Sequence, residues 1–273
     1  MNHLSQPTIA TLSQHYEPAA MLDSFAYTNA LLWLTAKRQQ PIVHFWQLDQ
    51  TVILGLLDQQ LPQLASGLTT LHQAGYQSLL RNSGGLAVVA DAGVLNVSLF
   101  LPASRNDYAI TEAYQLMVDY VQAVWPQLPI ITGEIKRSYC PGDYDLSING
   151  QKIAGMSQRR TENALVIMLY VSVNGDQADR SRLIHDFYQT GLNGTTDDRF
   201  PVVDPAVMTT VAAQLDQPVS VRATEQAFMT ALARHGAVDT RSLPLVTEEP
   251  EFQAHLKRAY QQMQRRQERL PKP

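Results

Sequence analysis

Cysteine is almost missing from this chain: among its 273 residues only Cys140 carries a thiol. One cysteine cannot form a disulfide within the chain, so the fold must be held by its core and its hydrogen bonds. A lone thiol is typical of proteins that work in the reducing cytosol. We therefore expect a cytoplasmic protein.

Long apolar runs and an excess of positive charge are missing as well. No stretch approaches the roughly 20 apolar residues that a membrane-spanning helix needs. Residues 1–20 lack the basic start and apolar block of a secretory signal peptide. Lys and Arg number 21 against 25 for Asp and Glu, a formal net charge of -4. We expect neither a nucleic-acid partner nor a membrane, because no overall cationic field exists to attract polyanions.

Several familiar active-site motifs are also absent. The sequence has no Gly-x-x-x-x-Gly-Lys-Ser/Thr loop, no Gly-x-Gly-x-x-Gly, no His-Glu-x-x-His and no Gly-x-Ser-x-Gly. The seven histidines, among them His44 and His185, are scattered, and the sole cysteine has no ligand type beside it. We expect no metal site.

What the chain does have is enough hydrophobic sequence, 45% of all residues, to bury a substantial core. No second domain boundary is evident, so residues 1–273 are predicted to form one catalytic domain with a helical C-terminal extension from about residue 200. The last predicted helix carries a basic set, which is either a solvated face or a docking patch for an acidic partner; this set is Lys257, Arg258, Arg265, Arg266 and Arg269.

Hydrophobic periodicity predicts alternating helices and strands. Apolar residues at helical spacing follow Asp23 and Ser24, two good N-cap residues, and predict a helix of about four turns. Two short β-rich runs at 42–46 and 51–54 indicate a hairpin. Further strands are predicted at 86–90, 95–101 and 164–173, a helix at 110–124, and mostly helix after residue 179.

A hairpin around Asn149 and Gly150 is the clearest local signal. Two alternating runs flank this dipeptide, which favours a type I′ turn. Such a turn pairs Ser147 with Lys152, and alternation then places Lys152 on the face away from the core. Lys152 is either a surface lysine or a cation that faces the Cys140 loop, where an ammonium would favour the thiolate.

Cys140 itself lies in the turn-rich run Tyr-Cys-Pro-Gly-Asp-Tyr, rather than in an apolar helix or strand where inert cysteines are usually buried. A loop thiol can meet a substrate, although a buried structural cysteine is the alternative. The paired glycines Gly84 and Gly85 form a second candidate, because they allow a ligand to approach the backbone closely. Double glycines also occur in ordinary turns.

Four runs, read together, resemble the lipoate and biotin protein ligase and transferase superfamily: residues 81–89 (RNSGGLAVV), 93–98 (GVLNVS), 138–145 and 150–155. A narrower resemblance is carried by residues 138–148 (SYCPGDYDLSI), with KIAG at 152–155 and QRR at 158–160. These runs are similar to the octanoyl-[GcvH]:protein N-octanoyltransferases of Gram-positive bacteria. The resemblance covers about residues 22–200.

The resemblance implies an α/β (α+β) fold of the class II aminoacyl-tRNA synthetase/biotin synthetase-like type. In that fold a mixed, largely antiparallel sheet is flanked by helices, and the glycine loop, the cysteine loop and the lysine hairpin line a tunnel for an acyl chain. The resemblance implies Cys140 and Lys152 as catalytic residues and a substrate site made of Arg81, Asn82, Ser83, Gly84, Gly85, Leu86, Ala87, Asn96, Gly142, Asp143, Asp145 and Gly155.

The implied reaction moves an octanoyl group, or a lipoyl group, between two protein lysines. Cys140 takes the group from the glycine cleavage H protein as a thioester and passes it to the lipoyl domain of a 2-oxoacid dehydrogenase E2 subunit. One amide replaces another, so neither ATP nor another cofactor is needed. Lys152 is expected to stabilise the thiolate and orient the carbonyl, and Lys152→Ala to slow acylation without unfolding the chain.

Three alternatives remain open at this point. A sister transferase would use octanoyl-acyl carrier protein as the donor with the same cysteine and lysine. An ATP-dependent lipoate ligase fits less well, because such ligases commonly have a third glycine and a His-Asp pair where this chain has Leu86 and Ala90-Asp91. A non-catalytic binder of lipoyl domains would keep the groove without turnover.

Overall fold

The computed structural model describes residues 8–104 and 107–271. Within these residues the chain forms a large mixed sheet, a small sheet and helices on both sides. The strands are β1 (Thr8–Tyr16), β2 (Ile42–Leu48), β3 (Thr51–Leu54), β4 (Gln77–Leu80), β5 (Val88–Ala90), β6 (Val94–Pro102), β7 (Ile131–Thr132), β8 (Leu146–Ile148), β9 (Gln151–Arg160), β10 (Ala164–Ser172) and β11 (Ala237–Asp239).

The large sheet has the order β11-β1-β2-β6-β10-β9-β8-β7, and the small sheet has the order β4-β3-β5. In the large sheet β1 pairs in parallel with β11 and with β2, while the other neighbours are antiparallel. This arrangement confirms the predicted mixed, largely antiparallel sheet. The strand β11 is a difference, because the region after residue 200 was predicted to be helical and this short pairing has no periodic signal of its own.

The helices cover both faces of the sheet. They are α1 (Met21–Arg38), α2 (Leu64–Gln73), α3 (Ile110–Val124), α4 (Gln177–Leu192), α5 (Val211–Leu215), α6 (Val221–Leu232), α7 (Ser242–Thr247) and α8 (Pro250–Gln267). One buried cluster joins the sheet to α3 and α6, another joins it to α1 and α8, and a third lies around the small sheet with α2 and α4. No helix within the described ranges is long and apolar enough to cross a membrane.

The predicted hairpin between the second and third strands is wrong. β2 belongs to the large sheet, where it pairs with β1 and β6, whereas β3 pairs with β4 and β5 in the small sheet. Both strands are buried almost throughout, so each needs neighbours on both edges and cover on both faces. The chain passes from one sheet to the other at Gln50, whose φ is 40°.

The first helix starts earlier than the sequence predicts. α1 begins at Met21 and has 18 residues, so Asp23 and Ser24 lie in its first turn rather than at its N-cap. Ser24 Oγ donates a hydrogen bond to the carbonyl of Met21 at 2.6 Å, and Asp23 places a carboxylate near the helix N-terminus. Both residues favour the start of a helix, but the helix itself begins at Met21, three residues before Ser24.

The hairpin at Asn149 and Gly150 is confirmed. Both turn residues have positive φ, 52° and 77°, as a type I′ turn requires. Ser147 faces Lys152 across β8 and β9, and a register shift follows immediately after this pair. The hairpin therefore presents Lys152 to the loop that precedes β8.

Candidate active site

Cys140 lies in the loop between β7 and β8, and its side chain is half-buried. Its φ is 47°, in the left-handed region that a residue with a Cβ seldom adopts. Such a conformation persists only where surrounding contacts hold it. The contacts that hold this loop come from Lys152 and Asp145.

Lys152 fixes the backbone of the cysteine loop. Its side chain is 2% exposed, and Nζ lies within 3.2 Å of four acceptors. Nζ donates to the carbonyl of Cys140 at 2.8 Å, to the carbonyl of Tyr139 at 3.0 Å and to Ser138 Oγ at 3.2 Å. It also forms an ion pair with Asp145 Oδ1 at 2.9 Å. An ammonium has three protons, so its donors are fully used here.

Asp145 holds the same loop from the opposite end. Its Oδ2 accepts from the amides of Ile135, at 3.3 Å, and Gly142, at 3.2 Å. Burial raises the pKa of Asp145, and the ammonium of Lys152 acts in the opposite direction. The two buried charges therefore depend on each other and clamp the segment that carries Cys140.

The cation in contact with the sulfur is Arg81. Its Nη2 lies 3.7 Å from Cys140 Sγ, and the amide of Leu86 donates to the same sulfur at 3.4 Å. Both groups direct a hydrogen-bond donor at the sulfur. The structure thus differs from the expectation for Lys152, whose four partners are oxygen atoms.

Glycines allow the Arg81 loop to approach the thiol so closely. Gly85 has a φ of 93°, and a Cβ there would lie 2.3 Å from Arg81 Nη2 and 3.3 Å from Cys140 Sγ. Arg81 in turn donates to the carbonyl of Gly84 through Nε at 3.1 Å and Nη2 at 2.8 Å. A Cβ on Gly55 would lie 1.8 Å from the carbonyl oxygen of Gly85. Two backbone segments therefore meet behind the sulfur with no room for side chains.

A buried chain of hydrogen bonds holds the glycine loop of residues 81–87 in place. Ala87 N-H donates to Tyr188 Oη at 3.0 Å, and Tyr188 Oη donates to Asp58 Oδ1 at 2.8 Å. The amide of Gly55 donates to Asp58 Oδ2 at 2.8 Å. Burial raises the pKa of Asp58 to about 7, while its two donors and Arg81 oppose the shift. Asp58 thus links the two segments that meet at Gly85.

A cavity of about 330 Å³ opens beside the sulfur. One row of residues across four strands faces it, because Trp46 pairs with Asn96, Asn96 with Tyr170 and Tyr170 with Gly155. Phe25 of α1 adds to its lining. The volume lies within the range of small-molecule sites. The thiol, Lys152 and these aromatic side chains therefore line one and the same cavity.

Most of the residues expected at the site line this cavity. They are Cys140, Lys152, Arg81, Ser83, Gly84, Gly85, Asn96, Gly142, Asp145 and Gly155. Four expected residues lie off it. Leu86 and Ala87 act through their backbone amides, Asn82 donates to Asn29 Oδ1 at 2.9 Å, and Asp143 is exposed.

Sequence reasoning missed the aromatic wall of the cavity and its buried support. Phe25, Trp46 and Tyr170 look like ordinary core residues in the sequence, and only the strand register brings Trp46 and Tyr170 beside Asn96. Asp58 gave no clear signal, because it is followed by Gln59 and Gln60, a context typical of surface acids. Tyr188, 130 residues away in sequence, gave none.

The sequence of this chain matches a known protein family. The model of the lipoyl protein ligase A/B catalytic domain matches residues 20–233, which include the cysteine loop, the glycine loop and the lysine hairpin. The chain belongs to this family. The family resemblance read from the sequence is therefore confirmed.

Relatives within the family carry two related names. An octanoyl-[GcvH]:protein N-octanoyltransferase from Anoxybacillus flavithermus is 42% identical over 202 residues, covering 73% of this chain and 74% of the relative. One of the same name from Oceanobacillus iheyensis is 36% identical over 256 residues, covering 92% and 90%. A lipoyl-[GcvH]:protein N-lipoyltransferase from Listeria monocytogenes is 39% identical over 232 residues, covering 84% and 83%.

Solved structures of this family share the fold. Lipoate-protein ligase A bound with ATP superposes with a TM-score of 0.70 at 19% identity, covering 94% of both chains. A bi-partite lipoate protein ligase from Thermoplasma acidophilum, described with its E2 lipoyl domain, gives 0.65 at 20% identity and covers 94% of this chain and 92% of the other. These likenesses confirm the predicted fold class.

Proposed function

We propose that this lipoyl ligase family member is a protein N-octanoyltransferase with a cysteine thioester intermediate. The donor is the octanoylated lysine of the glycine cleavage H protein, and the acceptor is a lysine on an E2 lipoyl domain. The names of relatives at 36–42% identity support the donor and the acyl group. The observation that carries the mechanism is the thiol of Cys140, held between Arg81 and the Leu86 amide at a cavity.

In the first step the Cys140 thiolate attacks the amide carbonyl of the acylated lysine. The new C-S bond forms, the C-N bond breaks, and the lysine leaves as an amine after taking up one proton. Arg81 and the Leu86 amide donate to the sulfur and hold it in place before the attack, and the apolar wall near Phe25 and Trp46 accepts the alkyl chain.

In the second step the acceptor lysine, as a free amine, attacks the thioester. The C-S bond breaks, the new amide forms, and the thiolate returns to its contacts with Arg81 and Leu86. The amine nitrogen loses one proton, which balances the proton taken up in the first step. One amide has replaced another, so the cycle needs no ATP and no cofactor. A covalent intermediate lets two bulky carrier proteins visit one site in turn.

Lys152 serves this cycle mainly by position. Its ammonium fixes the carbonyls of Tyr139 and Cys140, and thereby the strained backbone that aims the sulfur. Nζ also lines the cavity, and a substrate carbonyl would take one of its three protons only by displacing one of its four oxygen acceptors during the reaction.

The donor assignment is tested by offering two donors separately. The purified chain is mixed with a lipoyl domain and either octanoyl-H protein or octanoyl-acyl carrier protein, without ATP. The molecular mass of the lipoyl domain is then measured by mass spectrometry. We expect octanoylation from the H protein. Transfer only from the acyl carrier protein would favour the sister transferase, and transfer that needs ATP would favour a ligase.

We also propose that residues 1–273 act as one catalytic domain in the cytoplasm. The C-terminal helix α8 supports the site directly, because Gln267 accepts from the amide of Leu80 at 2.7 Å and donates to its carbonyl at 3.0 Å. Leu80 immediately precedes Arg81. The cytoplasmic location stays a prediction that rests on the lone thiol.

A further inference from the structure

Basic side chains surround a second cleft, of about 260 Å³, on the side of the sheet covered by α1 and α8. We call it the arginine cleft. It is lined by Asn29, Ala30, Arg159, His255, Arg258, Ala259 and Gln262, and Arg266 lies beside it. The cleft includes part of the basic set on α8, for which the sequence left open a solvated face or a docking patch.

Arg159 and Arg266 each lie near another cation, and neither forms an ion pair within the described residues. Burial lowers the pKa of Arg159, and the nearby guanidinium of Arg266 lowers it further. For Arg266 the causes are again burial and another cation, Arg269. Within residues 8–104 and 107–271 the arginine ion pairs are made by Arg38, Arg137, Arg180, Arg182 and Arg199.

This arrangement leaves polar groups without full partners. Arg159 donates through Nη1 to Asn29 Oδ1, a neutral acceptor. The Nε of Arg266 is buried and has no hydrogen-bond partner among the described residues. Like charges brought together in a partly dry place disfavour the folded state. An anion in the cleft would relieve this repulsion.

The cleft adjoins the active-site cavity. Asn29 Oδ1 accepts from both Arg159 and Asn82, and Asn82 immediately precedes Ser83 in the cavity lining. Gln158, next to Arg159 on β9, also lines the cavity. A macromolecule that places one side chain in the cavity therefore reaches the arginine cleft with its neighbouring surface.

We propose that the arginine cleft is a docking surface for carboxylate side chains of the carrier protein whose acylated lysine enters the cavity. The proposal rests on the proposed function. A run from Arg258 to Arg266 covers about 12 Å of helix, which suits several carboxylates on a protein better than one small anion. The chain as a whole carries a charge of -4, so this cationic surface is local and selective.

Charge reversal of Arg258 tests the proposal. Arg258 is exposed, so Arg258→Glu should fold normally, which thermal unfolding checks. We expect the KM for octanoyl-H protein to rise about fivefold or more, with a smaller change in kcat. The matched control is Lys257→Glu, which makes the same charge change on the same helix outside the cleft lining. Lys257→Glu should stay near the native KM.

An uncharged small-molecule acyl donor separates an effect on carrier-protein docking from an effect on the acylation of Cys140. p-Nitrophenyl octanoate should acylate Cys140 equally fast in the native chain and in Arg258→Glu, because it carries no carboxylate that the cleft could bind. Added NaCl should raise the native KM for octanoyl-H protein much more than that of Arg258→Glu.

Three results would overturn the docking surface. They are an unchanged KM in Arg258→Glu, an equal change in Lys257→Glu, or a rise in the Tm of the native chain, but not of Arg258→Glu, with millimolar inorganic phosphate, which would indicate a small-anion site. Failure of the proposed function would give another result. The ester would acylate Cys140, but octanoyl-H protein would not acylate the native chain.

Discussion

At the scale of single residues, the sulfur and the ammonium have separate surroundings. The sequence suggested that Lys152 activates Cys140 directly, whereas Lys152 contacts the backbone oxygens of the loop and Arg81 contacts the sulfur. The distinction decides what each substitution does. Loss of Arg81 removes a donor from the thiolate, and loss of Lys152 releases the loop that aims it.

Lys152→Ala should both destabilise the fold and slow acylation. The expectation that the fold stays intact no longer holds, because the substitution leaves Asp145 buried without its cation. Removing one partner of a buried ion pair costs about 3 kcal/mol or more. Denaturant unfolding and the rate of Cys140 acylation measure the two effects.

The control for this prediction is the double substitution Lys152→Met with Asp145→Asn. It removes both charges, so it should recover much of the lost free energy of unfolding but not the acylation rate. Full recovery of the rate would remove Lys152 from the reaction.

At the scale of elements, local signals predicted local structure. The Asn149-Gly150 turn fixed the register that brings Lys152 to the cysteine loop, and the α3 boundaries followed from apolar spacing. Long-range pairing could not be read in this way. Nothing near residue 50 shows that β2 and β3 belong to different sheets, and the row from Trp46 to Gly155 exists only through three strand pairings.

The residues of the site that lie in motif runs could be predicted from the sequence, whereas the long-range contacts that support them could not. The runs that carry the family resemblance contain Cys140, Lys152 and Arg81, which the structure brings to one cavity. The support from Asp58 and Tyr188 depends on a contact between residues far apart in the sequence, and no motif marks it.

Gly84 and Gly85 are neighbours in the glycine loop, and substitution by alanine should affect acylation very differently at the two positions. Gly85→Ala should slow acylation strongly, because its Cβ would push Arg81 Nη2 away from its place beside the sulfur and its φ of 93° disfavours any side chain. Gly84→Ala should be tolerated, since a Cβ there meets nothing within 4 Å. The measurement is the acylation rate of both folded variants. Equal rates would contradict the close approach of Gly85 to the sulfur.

At the scale of the whole molecule, the site depends on segments from end to end of the described chain. α1 supplies the cavity wall and Asn29, α4 supplies Tyr188, and α8 holds Leu80 before Arg81. Site geometry and global stability are therefore coupled, and Asp58, which accepts from Gly55 and Tyr188, is a titratable group within this support.

Asp58 should make stability depend on pH. Its pKa is about 7 in the fold against about 3.9 when unfolded. The folded state therefore holds the extra proton between these values, so this group's contribution is complete below pH 4 and is lost as the pH rises through 7. The expected slope is roughly 1.4 kcal/mol per pH unit inside that window.

Asp58→Asn should remove this pH dependence, because asparagine keeps an acceptor oxygen but does not titrate. Denaturant unfolding at pH 4.5, 6 and 8 should show the variant gaining stability relative to the native chain as the pH rises. A constant difference across the three values would mean that Asp58 does not titrate there.

Covalent acylation of Cys140 is the central claim, and intact-mass analysis tests it most directly. After native protein is mixed with octanoyl-H protein, without ATP and without an acceptor, we predict a mass gain of one octanoyl group. The gain should disappear on adding a lipoyl domain and should never form in Cys140→Ser. Octanoylation of the lipoyl domain by Cys140→Ser at the native rate, with no adduct on either protein, would contradict the account.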